Sequence, residues 1–189
     1  MSVGGGVNNI DDCKNLLDLG ADKISLNSVI HKDKKFLKKA VSFFGSSCII
    51  ASVDVKKVDG KYLVYTDYGR RLTKWRLEEF VRFVENEGAG EILLNSIDKD
   101  GSLQGYDNVL NKIVTSSVNI PVIVTGGAGN WQHFVDGFNI GNADAVCTSN
   151  IYHFTENSIK SAKNFIKTRG ELLHIFNTNG LWVSIFSNF

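Results

Sequence analysis

The sequence predicts an α/β fold: an incomplete TIM (β/α)8 barrel holding about six of the eight strand–helix units. Three observations predict it. Strand-like and helix-like segments alternate at a spacing of about 30 residues, as βαβ units do. One stretch of the chain repeats another at a fixed offset. Glycine-rich turns recur with that repeat.

The elements follow in order. A first strand is implied at 1–3, with 9–19 as its helix. Residues 23–27 make a short strand. Helix is expected over 32–44, because Phe36, Leu37, Ala40, Val41 and Phe44 fall at helical spacing. Lys34, Lys35, Lys38 and Lys39 lie between them as a solvated face. The run 48–54 is apolar up to Asp54, which suits a parallel strand covered on both faces. Asp59-Gly60 forms a two-residue hairpin turn, and 61–66 returns as its second arm. Helix follows at 76–87, with Leu77, Phe80, Val81 and Val84 inward, and strand at 91–95. Asp107 caps a helix at 108–115. Strand 120–125 carries Pro121 at its start, where a ladder donor is least missed. Helix 131–138, strand 144–148 and helix 158–168 complete the series.

The repeat separates a closed barrel from an open doubly wound sheet. Gly4-Gly5 aligns with Gly126-Gly127 at an offset of 122 residues, and the same offset pairs Asn8 with Asn130 without a gap. It also pairs Ala21-Asp22 with Ala143-Asp144, Ile24 with Val146, and His31 with His153. At the unit spacing above, this offset is about four units, so two such halves make an eight-unit barrel.

The repeated chemistry suits phosphate. Glycine turns leave backbone N–H groups open, and a following helix N-terminus adds positive potential. Gly4-Gly5-Gly6 with Asn27-Ser28 would form one cradle, and Gly126-Gly127-Ala128-Gly129 with Ser149-Asn150 the other. The same glycines also suit tight turns with no ligand. Two symmetric cradles favour a small substrate phosphorylated at both ends.

Composition bounds the remainder. There are 21 basic and 20 acidic residues, a net charge of +1, which offers no electrostatic case for nucleic acid. No apolar run approaches the roughly 18 residues of a membrane span. Cys13, Cys48 and Cys147 form no CxxC and sit in apolar surroundings, as reduced thiols of a cytosolic protein would. His31, His133, His153 and His174 show no metal-ligand spacing.

Several stretches together resemble the cyclase subunit family of imidazole glycerol phosphate synthase, a histidine-biosynthesis barrel. They are VGGGV at 3–7, GADKISLNS at 20–28, the strand and hairpin at 49–70, and GAGEILLNSIDKDG at 88–101. GYD at 105–107, NIPVIVTGGAG at 119–129 and ADAVCTSNIYHF at 143–154 complete the set. The sister isomerase of the same pathway shares the two-half plan but matches the hairpin and SIDKDG less well. The resemblance divides the chain into a partial barrel at 1–177 and an apolar tail outside the family pattern at 178–189.

The resemblance implies an ammonia-dependent cyclase/lyase acting on a ribulosyl-aminoimidazole bisphosphate, with no cofactor and no metal. It implies a cytoplasmic location. A glutamine amidotransferase partner subunit would send ammonia through the barrel. Two mouth aspartates, on the first and fifth parent strands, would share the acid–base work. Asp54 matches the fifth-strand aspartate, so the hairpin is an insertion after the fifth parent strand. Asp100 matches a substrate-orienting residue and Asp98 a structural loop residue. Asn95 stands where the family usually has threonine, keeping a hydrogen-bonding side chain. Gly5, Gly6, Asn27, Ser28, Gly126, Gly127, Ala128, Gly129, Ser149 and Asn150 would bind the phosphates, and Lys23 and Glu91 match a charged ammonia gate at the barrel floor.

Two departures shape the expectation. The half-barrel mate of Asp54 would lie 122 residues earlier, before Met1, so an N-terminally shortened chain that is inactive alone is expected. The wording VYTDYGRR at 64–71 and LLNSID at 93–98 is close to paralogues thought to supply ammonia for amidination of a surface sugar.

Overall fold

The computed structural model describes residues 1–149, 151, 159–169 and 181–182. Along the chain these form β1 (Ser2–Gly4), α1 (Ile10–Asp18), β2 (Lys23–Leu26), α2 (Ser28–Lys32), α3 (Phe36–Phe44) and β3 (Ile49–Val58). They continue as β4 (Lys61–Thr66), β5 (Arg71–Arg76), α4 (Leu77–Asn86), β6 (Glu91–Ser96), α5 (Asn108–Thr115) and β7 (Val122–Thr125). Last come α6 (Trp131–Asn139), β8 (Ala145–Cys147), α7 (Ile159–Thr168) and β9 (Leu181–Trp182).

The sheet order is β1-β2-β3-β6-β7-β8-β9, with β4 on β3 and β5 on β4. Each neighbouring pair along the main path is parallel, from Val3 beside Ile24 to Val124 beside Val146. The expected partial barrel is therefore present: six parallel strands from β1 to β8, plus the antiparallel excursion of β4 and β5.

Strand alternation sorts side chains between two layers. In β6, Ile92, Leu94 and Ser96 are buried against the helices, while Glu91, Leu93 and Asn95 face the barrel interior half-buried. The outer core joins Ile24, Leu26, Ile49, Val53, Ile92 and Val124 of the sheet to Leu37, Phe80, Val84, Leu110 and Phe134 of the helices. Burying one such side chain is worth about 1.5–3 kcal/mol. A smaller inner cluster of Leu93, Ile123, Ala145 and Cys147 fills part of the barrel lumen.

Local chemistry explains where the elements differ from expectation. The single helix foreseen over 32–44 is two, α2 and α3, because Asp33 turns extended at φ −133° and its carboxylate accepts from the Lys35 N–H. Strand β3 does not stop at Asp54 but runs on to Val58, so the barrel strand is itself the first hairpin arm. Asp59 and Gly60 both have positive φ (48° and 76°), as a two-residue hairpin turn between twisted strands requires. The third arm, β5, was not foreseen, since its LTKW core lies between charged residues. Pro121 lies just outside β7, where its carbonyl still accepts from the Ile92 N–H. Cys13 and Cys147 are buried thiols, whereas Cys48 is half-buried. Of the tail, Leu181–Trp182 pairs with β8; Ser158, Asn150 and the rest of 178–189 lie outside the described residues.

The 122-residue repeat is structural. β2 begins at Lys23 and β8 at Ala145, at that same offset. The helix caps are shifted by one residue: Asn9 caps α1, but Asn130 caps α6.

Candidate active site

Parallel strands place all their C-terminal ends on one rim. Register puts Asp54 beside Asn95, and Asn95 beside Thr125, at that rim. Asn27 follows the end of the neighbouring strand β2.

Asp54 is the centre of a polar cluster. Asn27 Nδ2 donates to its Oδ2 at 2.8 Å, and Asn95 Nδ2 donates to its Oδ1 at 3.1 Å. The buried Thr66 hydroxyl lies 3.2 Å from both Asn27 Oδ1 and Ser28 Oγ. Burial raises the Asp54 pKa above the ordinary carboxylate value; the Asn95 and Asn27 amides oppose the rise, and the Asp100 charge adds to it. A carboxyl so tuned can both take and give a proton.

A recess adjoins this cluster, lined by Asp100, Gly101, Leu103, Thr125, Gly126, Gly127, Ala128, Thr148 and Ser149. Gly126 and Gly127 have φ of 91° and 108°, where only glycine is at ease. Space also demands glycine: a Cβ on Gly127 would stand 2.3 Å from the Gly105 carbonyl. The cradle backbone therefore lies tight against the loop 97–107.

The expected site residues fall into separate groups. Asp100, Gly126, Gly127, Ala128 and Ser149 share the recess. Gly129 points elsewhere: its N–H donates to His133 Nδ1 at 3.0 Å. Asn27 is committed to Asp54, and the Ser28 hydroxyl is close to the hairpin at Thr66 and the Asp67 N–H. Gly5 and Gly6 are exposed with positive φ after β1, and Asn8 donates to the Gly6 carbonyl at 2.6 Å. Asn150 is outside the described residues. Asp98 accepts from the Lys57 N–H at 2.6 Å, tying its loop to the hairpin. At the opposite end of the barrel Lys23 bonds Glu91, and both are mostly buried, with Glu91 Oε2 left without a partner.

Sequence reasoning missed two participants. Thr66 belongs to the Asp54 cluster but reads as an ordinary strand end; only the hairpin folding back brings it there. His133 has no sequence signature for its part, because its ring meets a backbone N–H and the side chain of the neighbouring cap Asn130.

A family model described as histidine biosynthesis protein matches residues 1–160. The chain belongs to this family. Within it the chain is similar to proteins named imidazole glycerol phosphate synthase subunit HisF. It is 42% identical over 170 residues to the one from Chlorobium limicola (strain DSM 245 / NBRC 103803 / 6330), covering 90% of this chain and 68% of that protein. To the Bacillus pumilus (strain SAFR-032) protein it is 43% identical over 171 residues, covering 89% and 68%. To that of Bacillus subtilis (strain 168) it is 42% identical over 171 residues, with the same coverage. In this HisF-family member Asp54 and the Gly126–Gly127 turn share one rim.

Proposed function

We propose that this site serves the ammonia-dependent cyclase/lyase reaction of histidine biosynthesis, giving imidazole glycerol phosphate and an aminoimidazole ribotide from a ribulosyl-aminoimidazole bisphosphate. The observation that carries it is Asp54, gripped by two amides beside the Gly126–Ala128 recess. In this reading the recess holds one phosphate through backbone N–H groups and Ser149, and Asp100 meets a substrate hydroxyl. Gly5 and Gly6 receive the other phosphate. Asp54 moves the proton as the ring closes. Lys23 and Glu91 form the floor gate through which a glutamine amidotransferase subunit delivers ammonia.

The family chemistry takes two aspartates, and Asp54, held by the Asn27 and Asn95 amides, is read as one of them. A fusion that places the first two strand–helix units of a relative ahead of Met1 is expected to show ammonia-dependent turnover. In that fusion Asp54→Asn lowers the rate by about two to four orders of magnitude, the usual worth of general acid–base catalysis. A folded fusion without turnover, or one indifferent to Asp54→Asn, overturns the proposal.

A further inference from the structure

Both glycine turns end in a side chain that accepts the N–H just before the helix cap, but the side chains differ. Counted from the helix caps Asn9 and Asn130, the counterpart of His133 is Asp12, whose Oδ2 accepts the Asn8 N–H at 2.8 Å. In the second half an imidazole takes that place and touches two segments that flank the recess. On one side its Nδ1 accepts the Gly129 N–H at 3.0 Å. On the other its ring lies against Gly105, where an added Cβ would meet His133 Cδ2 at 3.3 Å. Gly105 in turn donates its N–H to the Gly127 carbonyl at 2.7 Å. His133 is itself anchored, since its own N–H donates to Asn130 Oδ1 at 3.0 Å.

We propose that His133 is a positioning residue of the phosphate recess, drawing the Gly129 N–H out of the turn so that the preceding N–H groups face the ligand. The proposal rests on the phosphate reading of this recess. The argument is one of donor geometry. Four successive N–H groups in a tight turn cannot all converge on one small anion, and a turn with an unclaimed last donor can twist to offer different sets. The imidazole lone pair claims that last donor. By packing on Gly105 the ring also fixes the spacing between the cradle and the loop that carries Asp100. In the first half the Asp12 carboxylate holds the Asn8 N–H in the same way, so the two clamps differ in the ring that His133 packs on Gly105.

Two substitutions separate acceptor from bulk. His133→Phe keeps a ring against Gly105 but has no lone pair. His133→Asn keeps an acceptor near the Nδ1 position and gives up the ring. Inorganic phosphate is titrated into the 189-residue chain, and amide shifts of Gly126, Gly127 and Ala128 are followed by NMR. Unfolding midpoints of all forms are measured beside them. The expected result is phosphate affinity at least about fivefold weaker in His133→Phe, the worth of one ordinary hydrogen bond. His133→Asn is expected to stay within about twofold of the native chain. Native affinity in a folded His133→Phe overturns the role of His133 alone, as does equal loss in both variants. A native chain whose cradle amides do not respond to phosphate overturns the phosphate reading along with it.

Discussion

At the scale of the residue, Asp54 shows how a fold sets a proton affinity. Burial in the half-open lumen favours the neutral acid, and the two amides favour the anion. Burial wins, so the folded state binds the proton more tightly than the unfolded chain does. Stability contributed by the protonated form is then complete below the ordinary aspartate value of 3.8 and is lost as pH rises toward the raised folded value. In urea titrations the stability of the native chain relative to Asp54→Asn is therefore expected to decline from about pH 4 toward neutrality. A difference that stays flat across that range would remove the burial argument. The catalytic candidate was legible from the family resemblance and from its place at the end of an apolar run. Its amide grip was not, because Asn27, Asn95 and Thr66 are brought together only by parallel register and a returning hairpin.

At the scale of the element, the hairpin of β3, β4 and β5 is held down over the rim by contacts distant in sequence. The Tyr62 hydroxyl donates to both oxygens of Asp107, at 3.0 and 3.1 Å, while Asp107 also caps α5 through the Leu110 N–H. Burial and the neighbouring carboxylate push the Tyr62 pKa up to about 12, so the hydroxyl remains a donor throughout the physiological range. Tyr62→Phe removes this link and nothing else. It is expected to cost about 1–2 kcal/mol in equilibrium unfolding, in the range for a hydrogen bond to a charged group. A loss below about 0.3 kcal/mol would mean that the hairpin is held by its strand pairing alone. Periodicity revealed the helices well because their buried faces are long: Leu77, Phe80, Val81 and Val84 all lie inward as expected. It overlooked the break at Asp33, a side-chain-to-backbone bond that competes with helix inside an otherwise regular pattern. It also overlooked β5, whose residues are mostly exposed and so show little alternation.

At the scale of the whole molecule, the internal repeat was enough to recognise a barrel plan, and the parallel order of the strands follows it. β1 ends the sheet with one flank unpaired among the described strands, and its three residues are only half-buried. Exposed apolar side chains such as Leu19, Phe43 and Val109 add to the surface available for association. An open strand edge is a template for pairing with another chain. Sedimentation across a range of protein concentrations is accordingly expected to show a rising average mass, and a concentration-independent monomer would refute this. The strand order has a further consequence, for the time course of folding. Along β1-β2-β3-β6-β7-β8, each barrel strand is bonded to the barrel strands made just before and just after it. A chain leaving the ribosome can then add one unit at a time to a growing sheet, with no segment waiting for a distant partner. Hydrogen exchange on nascent chains of increasing length should show protection advancing strand by strand, in the order of synthesis.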